Sequence, residues 1–223
     1  MSLQSWREDW AGAVHTEADA GRFVDAVGFC SINALERFPA FPNLAVAMGT
    51  PDALWQAWFW KDDLHVAKRL YYTRLFAGRP GFLTLDWLPA FIAANGAAAD
   101  ELIHEGALPM ATVALYHLIE ERGPISIRDI NRALGKEARG STNAGLWELE
   151  RRFIVTKTGL SGRERGTYGY IWDLAERWLP DAFTAADRLR RPAALAHIRT
   201  RLADLGVPID AKLAKRVLRW EGD

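Results

Sequence analysis

The sequence predicts a mainly helical protein of the α+β class, and three observations carry that expectation. Apolar residues recur at helical spacing over much of the 223-residue chain. Cap and turn residues cut the pattern into short pieces. From Pro109 onward the segments read helix, short strand, helix, turn, helix and two-stranded hairpin. A composition of 49% hydrophobic and 25% charged residues is ordinary for a globular chain able to bury a real core.

The elements follow in order. RFPAFPNL, Arg37 to Leu44, is rich in Pro and Phe and reads as a loop. Thr50 and Pro51 suit an N-cap and a first helical position, and Leu54, Trp55, Trp58 and Phe59 then recur at helical spacing. The charged run Lys61, Asp62, Asp63 reads as punctuation, after which Val66, Leu70 and Leu75 continue an apolar stripe to the turn at Gly78–Gly81. FLTL is extended, and Asp86 is the expected cap of a helix through WLPAFIAANG, closed by Gly96.

The segment after Pro109 is the most informative. MATVALYHLIEERG places Val113, Leu115, Leu118 and Ile119 inward, with Gly123 at its end. Ser126 and Asp129 form a capping-box pair ahead of Ile127, Ile130 and Leu134. STNAGLWELERR buries Leu146, Leu149 and Phe153; the strand FIVTK, the loop TGLSGRERG and the strand TYGYIW follow. This is the order of a winged helix-turn-helix with a small β-hairpin wing, expected over residues 109–180 after a helical domain over 1–108. Residues 181–223 are expected to form basic C-terminal helices: Thr184 and Asp187 suggest one capped helix, and PAALAHIRTRLADLG and AKLAKRVLRW give two basic amphipathic helices broken at Gly206-Val207-Pro208, with Leu195, Ile198, Leu202 and Leu205 as an inward stripe.

The net charge of zero hides local asymmetry. Arg122–Arg165 carries 10 basic and 5 acidic residues, and Arg188–Arg219 carries 9 and 2. Arginine forks suit phosphate and base edges. In a helix-turn-helix the second helix lies in the major groove, so Ser141, Thr142, Asn143 and Arg151, with Arg139 ahead of them, are expected to face double-stranded DNA. Arg163 and Arg165 stand at the wing tip between glycines. Winged helices also serve as protein-docking modules, which leaves a transcriptional regulator or interaction module as the alternative.

Other classes drop out. The uncharged stretches Pro39–Pro51 and Trp87–Ala99 are too short to span a bilayer, no basic-then-apolar leader opens the chain, and Cys30 is the only cysteine, so the expected compartment is the cytoplasm. Cys30 reads as a small buried hydrophobe. Glu101 and His104, and His117 and Glu120, have E-x-x-H and H-x-x-E spacing, but no second E-x-x-H completes a bundle site, so no metal or other cofactor is expected. Trp55, Trp58 and Trp60 span too many sides of one helix all to be core, which leaves one exposed for a base or partner.

FVDAVGFCSI, LWQAWFWKDDL, and GPISIRDINRAL through GLWELERRFIV to YIWDLAERWLP together resemble the AlkZ or YcaQ-like family of crosslink-repair DNA glycosylases, and more closely its short relatives. The likeness covers most of residues 20–180. It implies tandem winged-helix units around a DNA channel, with a first, degenerate unit in the N-terminal half. It also implies metal-independent removal of alkylated bases through a Gln-x-Gln or Gln-x-Asp motif shortly after a glycine. The matching stretch, Gly28 to Asn33, puts Ser31 and Asn33 at the two polar positions. Neither is Gln or Asp, so the implied catalysis is altered or weak.

Overall fold

The computed structural model describes residues 6–50, 54–135 and 139–220. Its elements are α1 (Trp6–Trp10), α2 (Glu17–Val27), β1 (Phe29–Ser31), α3 (Leu44–Met48), α4 (Leu54–Val66), β2 (Tyr71–Thr73), β3 (Gly81–Leu83), α5 (Leu88–Asn95), α6 (Ala99–His104) and α7 (Met110–Arg122). There follow β4 (Ile125–Ser126), α8 (Ile127–Leu134), α9 (Arg139–Glu150), β5 (Val155–Gly162), β6 (Gly169–Leu174), α10 (Ala175–Trp178), α11 (Pro180–Ala186), α12 (Arg191–Asp204) and α13 (Ala211–Arg216). The chain is mixed α and β, mostly helical, and divides into two compact units: the described residues up to Ala94 with those from Ala185 on, and residues 95–184.

In the first unit Thr16 opens α2 through a capping box with Asp19, and Gly28 closes it at φ 88°. A side chain at Gly28 would come within 2.5 Å of the Trp87 ring, so glycine is required both by φ and by space. The chain turns there directly into β1, which pairs antiparallel with β3, and β3 with β2. Every residue of these three strands is buried. Phe29 packs on Phe41, Phe76 and Phe91 at centroid distances of 5.0 to 6.1 Å, which makes the core aromatic. The C-terminal helices belong to this unit. Leu195, Ile198, Leu202 and Leu205 are buried as their spacing implies, and Arg201 Nε donates to the Val27 carbonyl at 3.1 Å.

Several local expectations fail here, each for a physical reason. Helix α4 runs unbroken through Lys61, Asp62 and Asp63. Lys61 and Asp62 are buried and paired, Nζ to Oδ1 at 2.6 Å, with the ammonium 5.3 and 5.4 Å from the Trp58 and Tyr72 rings. A charge triplet punctuates a helix only when water solvates it. Burial pushes the Lys61 pKa down against the opposing pull of Asp62. The stripe beyond α4 is broken, since Val66 is exposed and residues 71–73 form a strand whose Tyr72 amide donates to His65 Nδ1 at 2.9 Å. Thr84 rather than Asp86 accepts the Trp87 amide, at 3.3 Å. Thr184 lies within α11, and α12 starts at Arg191 with a proline in its first turn, so Thr184 and Asp187 cap nothing. The start signal at Thr50 and Pro51 falls partly outside the described residues.

The second unit follows its sequence pattern more closely. Leu115, Leu118 and Ile119 of α7, Ile130 of α8, and Leu146 and Leu149 of α9 bury against Val155 and Trp172. Ser126 Oγ accepts the Asp129 amide at 3.2 Å and donates to its carboxylate at 2.7 Å. The three-stranded sheet has the order β4-β6-β5. Its hairpin is longer than the sequence suggests, because register shifts at Lys157/Gly159 and Leu160/Gly162 carry the pairing out to Gly162 and Gly169. Thr158 and Ser161 are the residues skipped at these bulges, and Gly159 and Gly162, which look like loop residues, stay paired, which shortens the tip to 163–168. The succession α7-β4-α8-α9-β5-β6 repeats that of α2-β1-α3-α4-β2-β3, and in both sheets the last strand lies between the other two.

Candidate nucleic-acid interface

Ser31 ends β1 fully buried, where its hydroxyl donates to the Asn33 carbonyl at 2.8 Å and lies 3.4 Å from that of Pro42. The expected direct role in holding a water therefore does not suit it. The backbone around it is pinned as well, by Ser31 N to Pro42 O at 3.0 Å, Ile32 N to Pro80 O at 2.7 Å and Ala45 N to Ile32 O at 3.0 Å. This rigid corner delivers Asn33, half-buried, to the wall of a cleft of about 760 Å³.

Arg37, Arg79, Lys215, Arg216 and Arg219 line the same cleft, with Glu36 the one acid among the described residues of its walls. A neighbouring cleft of about 620 Å³ shares Arg37, Phe38 and Arg216 and adds Lys212 and Asp210. Asp210 is occupied in capping α13, where it accepts the Leu213 amide at 2.7 Å. Two wall residues of the larger cleft, Ala77 at φ 53° and Arg219 at φ 60°, hold a left-handed backbone without being glycine. These cations were only half visible in the sequence. The C-terminal basic excess pointed to three of them, whereas Arg37 and Arg79 sit in loops with no distinguishing pattern.

The second unit arranges its candidates on α9 and the hairpin. Ser141 and Asn143 are exposed, but Thr142 is 3% exposed. Consecutive residues on a helix stand about 100° apart, and Thr142 lies four and seven residues before Leu146 and Leu149, which puts it on their inward face. Arg151 is half-buried, with Nε and Nη2 on Glu148 at 2.7 Å each and its guanidinium 5.7 Å from the Trp147 ring. Arg152 Nε adds a third bond to Glu148 at 2.8 Å. Burial works to raise the Glu148 pKa, but these arginines outweigh it and hold the carboxyl below its ordinary value. Arg151 is thus committed within its own helix. Arg163 and Arg165 are exposed at the hairpin tip. Arg139 opens α9, and its side chain lies outside the described part.

Cys30 is buried on β1, and burial pushes its thiol pKa well up, so it is an inert core group. Trp55, Trp58 and Phe59 are 60%, 49% and 57% exposed, more aromatic surface than the single free tryptophan anticipated. Among the described residues no three His, Cys, Asp or Glu side chains converge as metal ligands, and no helix is long and apolar enough to cross a membrane.

No curated protein and no solved structure matches this chain. A family model described as AlkZ related matches residues 14–219, spanning both units and every segment that carries the resemblance, and the chain belongs to that family.

Proposed function

We propose that this protein binds double-stranded DNA as a relative of base-excision DNA glycosylases, with altered or weak base release. The observation that carries the reading is the α7-β4-α8-α9-β5-β6 unit of an AlkZ-related chain, in the order of a winged helix-turn-helix, with Ser141, Asn143, Arg163 and Arg165 exposed. In this reading α9 enters the major groove, Ser141 and Asn143 bond phosphates or base edges, and the hairpin tip lies on the sugar-phosphate chain. The repeated succession of elements supports a tandem arrangement, with a first, degenerate winged helix within residues 1–108, a second in 109–180, and the basic helices of 181–223 closing the chain.

Base release without a metal needs a polar group to orient water and stabilisation of a cationic sugar. Asn33 supplies the first, with Ser31 as a positioning residue behind its carbonyl. An amide stabilises the sugar only through its dipole, which is why weak activity follows. The buried Ser31 favours a second reading, a winged-helix regulator with no catalysis.

Two measurements on the full chain test the proposal. Replacing Arg163 and Arg165 by Ala should weaken duplex binding and lower the slope of log affinity against log salt by about one to two, since each phosphate contact contributes roughly 0.9. An unchanged slope removes the hairpin from the interface. Wild-type protein should release an alkylated base from duplex DNA slowly, and no release at all selects the regulator.

A further inference from the structure

The cleft beside Asn33 concentrates positive charge, with five cations against the single acid Glu36 among the described residues of its walls. Arg37, Arg79, Lys215 and Arg216 line it, and among the described residues none of the four takes part in an ion pair. In a chain of 28 basic and 28 acidic residues, such clustering belongs to the place and not to the composition. Arg219 adds a fifth cation. Three of the five come from residues 215–219, a stretch fastened at its middle and just past its end. The Ala77 amide donates to the Val217 carbonyl at 3.2 Å, and Trp220 is buried, with the Arg199 guanidinium 5.1 Å from its ring. The left-handed backbones of Ala77 and Arg219 are held in the same wall. Non-glycine residues stay in that region only where their surroundings over-determine it, and such positions gather at functional sites.

The surroundings say what kind of anion fits. Leu54 lines the cleft at the start of α4, and Trp58, one turn further on the same helix face, is half exposed. Trp55 and Phe59 extend the exposed aromatic surface. Cations that track a backbone beside an aromatic platform are the ordinary means of holding a single strand.

We propose that this cleft binds the phosphate ester of one nucleic-acid strand, that residues 211–220 complete it, and that Trp58 stacks a base of the same strand. The proposal rests on the DNA-binding reading and places the strand where Asn33 meets its sugar. Guanidinium forks grip a phosphodiester in two-point fashion, and the cleft's size is within the range of ordinary ligand pockets.

The same phosphate chemistry is carried by a free nucleotide, and the experiment separates the two sources. Binding of a labelled oligothymidylate to the full chain is followed by fluorescence anisotropy across a salt series, with thymidine monophosphate as competitor. The Arg79→Gln, Arg216→Gln double variant alters only exposed side chains and should melt with wild type. It should lose at least about tenfold in strand affinity and lower the salt slope by roughly 1.4, about 0.7 for each single-strand phosphate contact. Lys215→Gln alone should move both in the same direction. Trp58→Ala should weaken the strand at least about fivefold, the lower end of what one stacked base contributes. Unchanged strand affinity and slope in the double variant overturn the site. Competition by the mononucleotide at the oligonucleotide's own effective concentration overturns the strand assignment in favour of a free nucleotide. The Arg163→Ala, Arg165→Ala protein keeps the two proposals apart: it should bind the oligothymidylate normally, so a duplex slope unchanged in that protein defeats the winged-helix reading while leaving the cleft standing.

Discussion

At the scale of single residues, the most informative pair is Ser31 and Asn33. Two residues apart, they have different environments, because the strand buries the first and the turn after it leaves the second half-buried on the wall of a cleft. Their variants should therefore separate function from stability. Asn33→Ala should cut base release 10²- to 10⁴-fold, the usual cost of removing a water-positioning group, while duplex binding and melting stay as in wild type. Ser31→Ala should instead lower stability by about 1 kcal/mol, the worth of a typical buried hydrogen bond, with a smaller loss of activity through the Asn33 backbone. Release assays and denaturant melts on the two proteins check both, and full-rate release by Asn33→Ala would refute its role. The identity of Thr142 as an inward residue follows from helix geometry alone, and its hydroxyl should be ignored by DNA.

At the scale of elements, α9 joins core and interface. Its inner face holds Leu149, fully buried, so Leu149→Ala should cost about 2 to 5 kcal/mol in urea unfolding. A loss below about 0.5 kcal/mol, the surface range, would mean that the inward face is misplaced. The end of the helix carries Glu148 under Arg151 and Arg152, with its pKa held below the ordinary 4.5. A carboxyl with a depressed folded pKa contributes stability that is fully present above its unfolded pKa and lost as pH falls through the folded value. Wild type should accordingly lose stability as pH drops below about 4.5, and Glu148→Gln should flatten that part of the profile. An equally steep acid limb in the variant would show that other carboxyls carry it. The buried Lys157–Glu150 pair, beneath the Tyr170 and Trp172 rings, ties the same helix to β5. Removing one partner there leaves a stranded charge, which makes that position far less tolerant than the surface arginines.

At the scale of the whole molecule, a net charge of zero coexists with a basic cleft in the first unit and exposed arginines at the hairpin tip of the second, and counting charges in windows along the chain foreshadowed Lys215, Arg216, Arg219, Arg163 and Arg165 but not Arg37 and Arg79. Local periodicity sufficed for the three helices of residues 110–150, where caps, apolar spacing and turn residues all point the same way, and that agreement is why their order could be read without coordinates. It also sufficed for the family, because the spaced aromatics and the helix-turn-helix pattern are linear features. Helix α4 and the hairpin could not be read so simply. Whether Lys61 and Asp62 end a helix or lie buried within it depends on the rings of Trp58 and Tyr72 coming to cover them, and whether Gly159 and Gly162 are loop or ladder depends on what β6 offers across the sheet. The candidate site divides along the same line. The sequence by itself determined that Asn33 stands shortly after Gly28 in the stretch that carries the family resemblance and that residues 188–219 are basic. Only the tertiary structure decided that Ser31 turns inward and that Arg37, Arg79, Lys215, Arg216 and Arg219 meet around Asn33. Residues up to 186 positions apart in the chain (33 to 219) share that cleft, and no local propensity encodes such an encounter: it follows from burying α12 and α13 in the same core as the first strand.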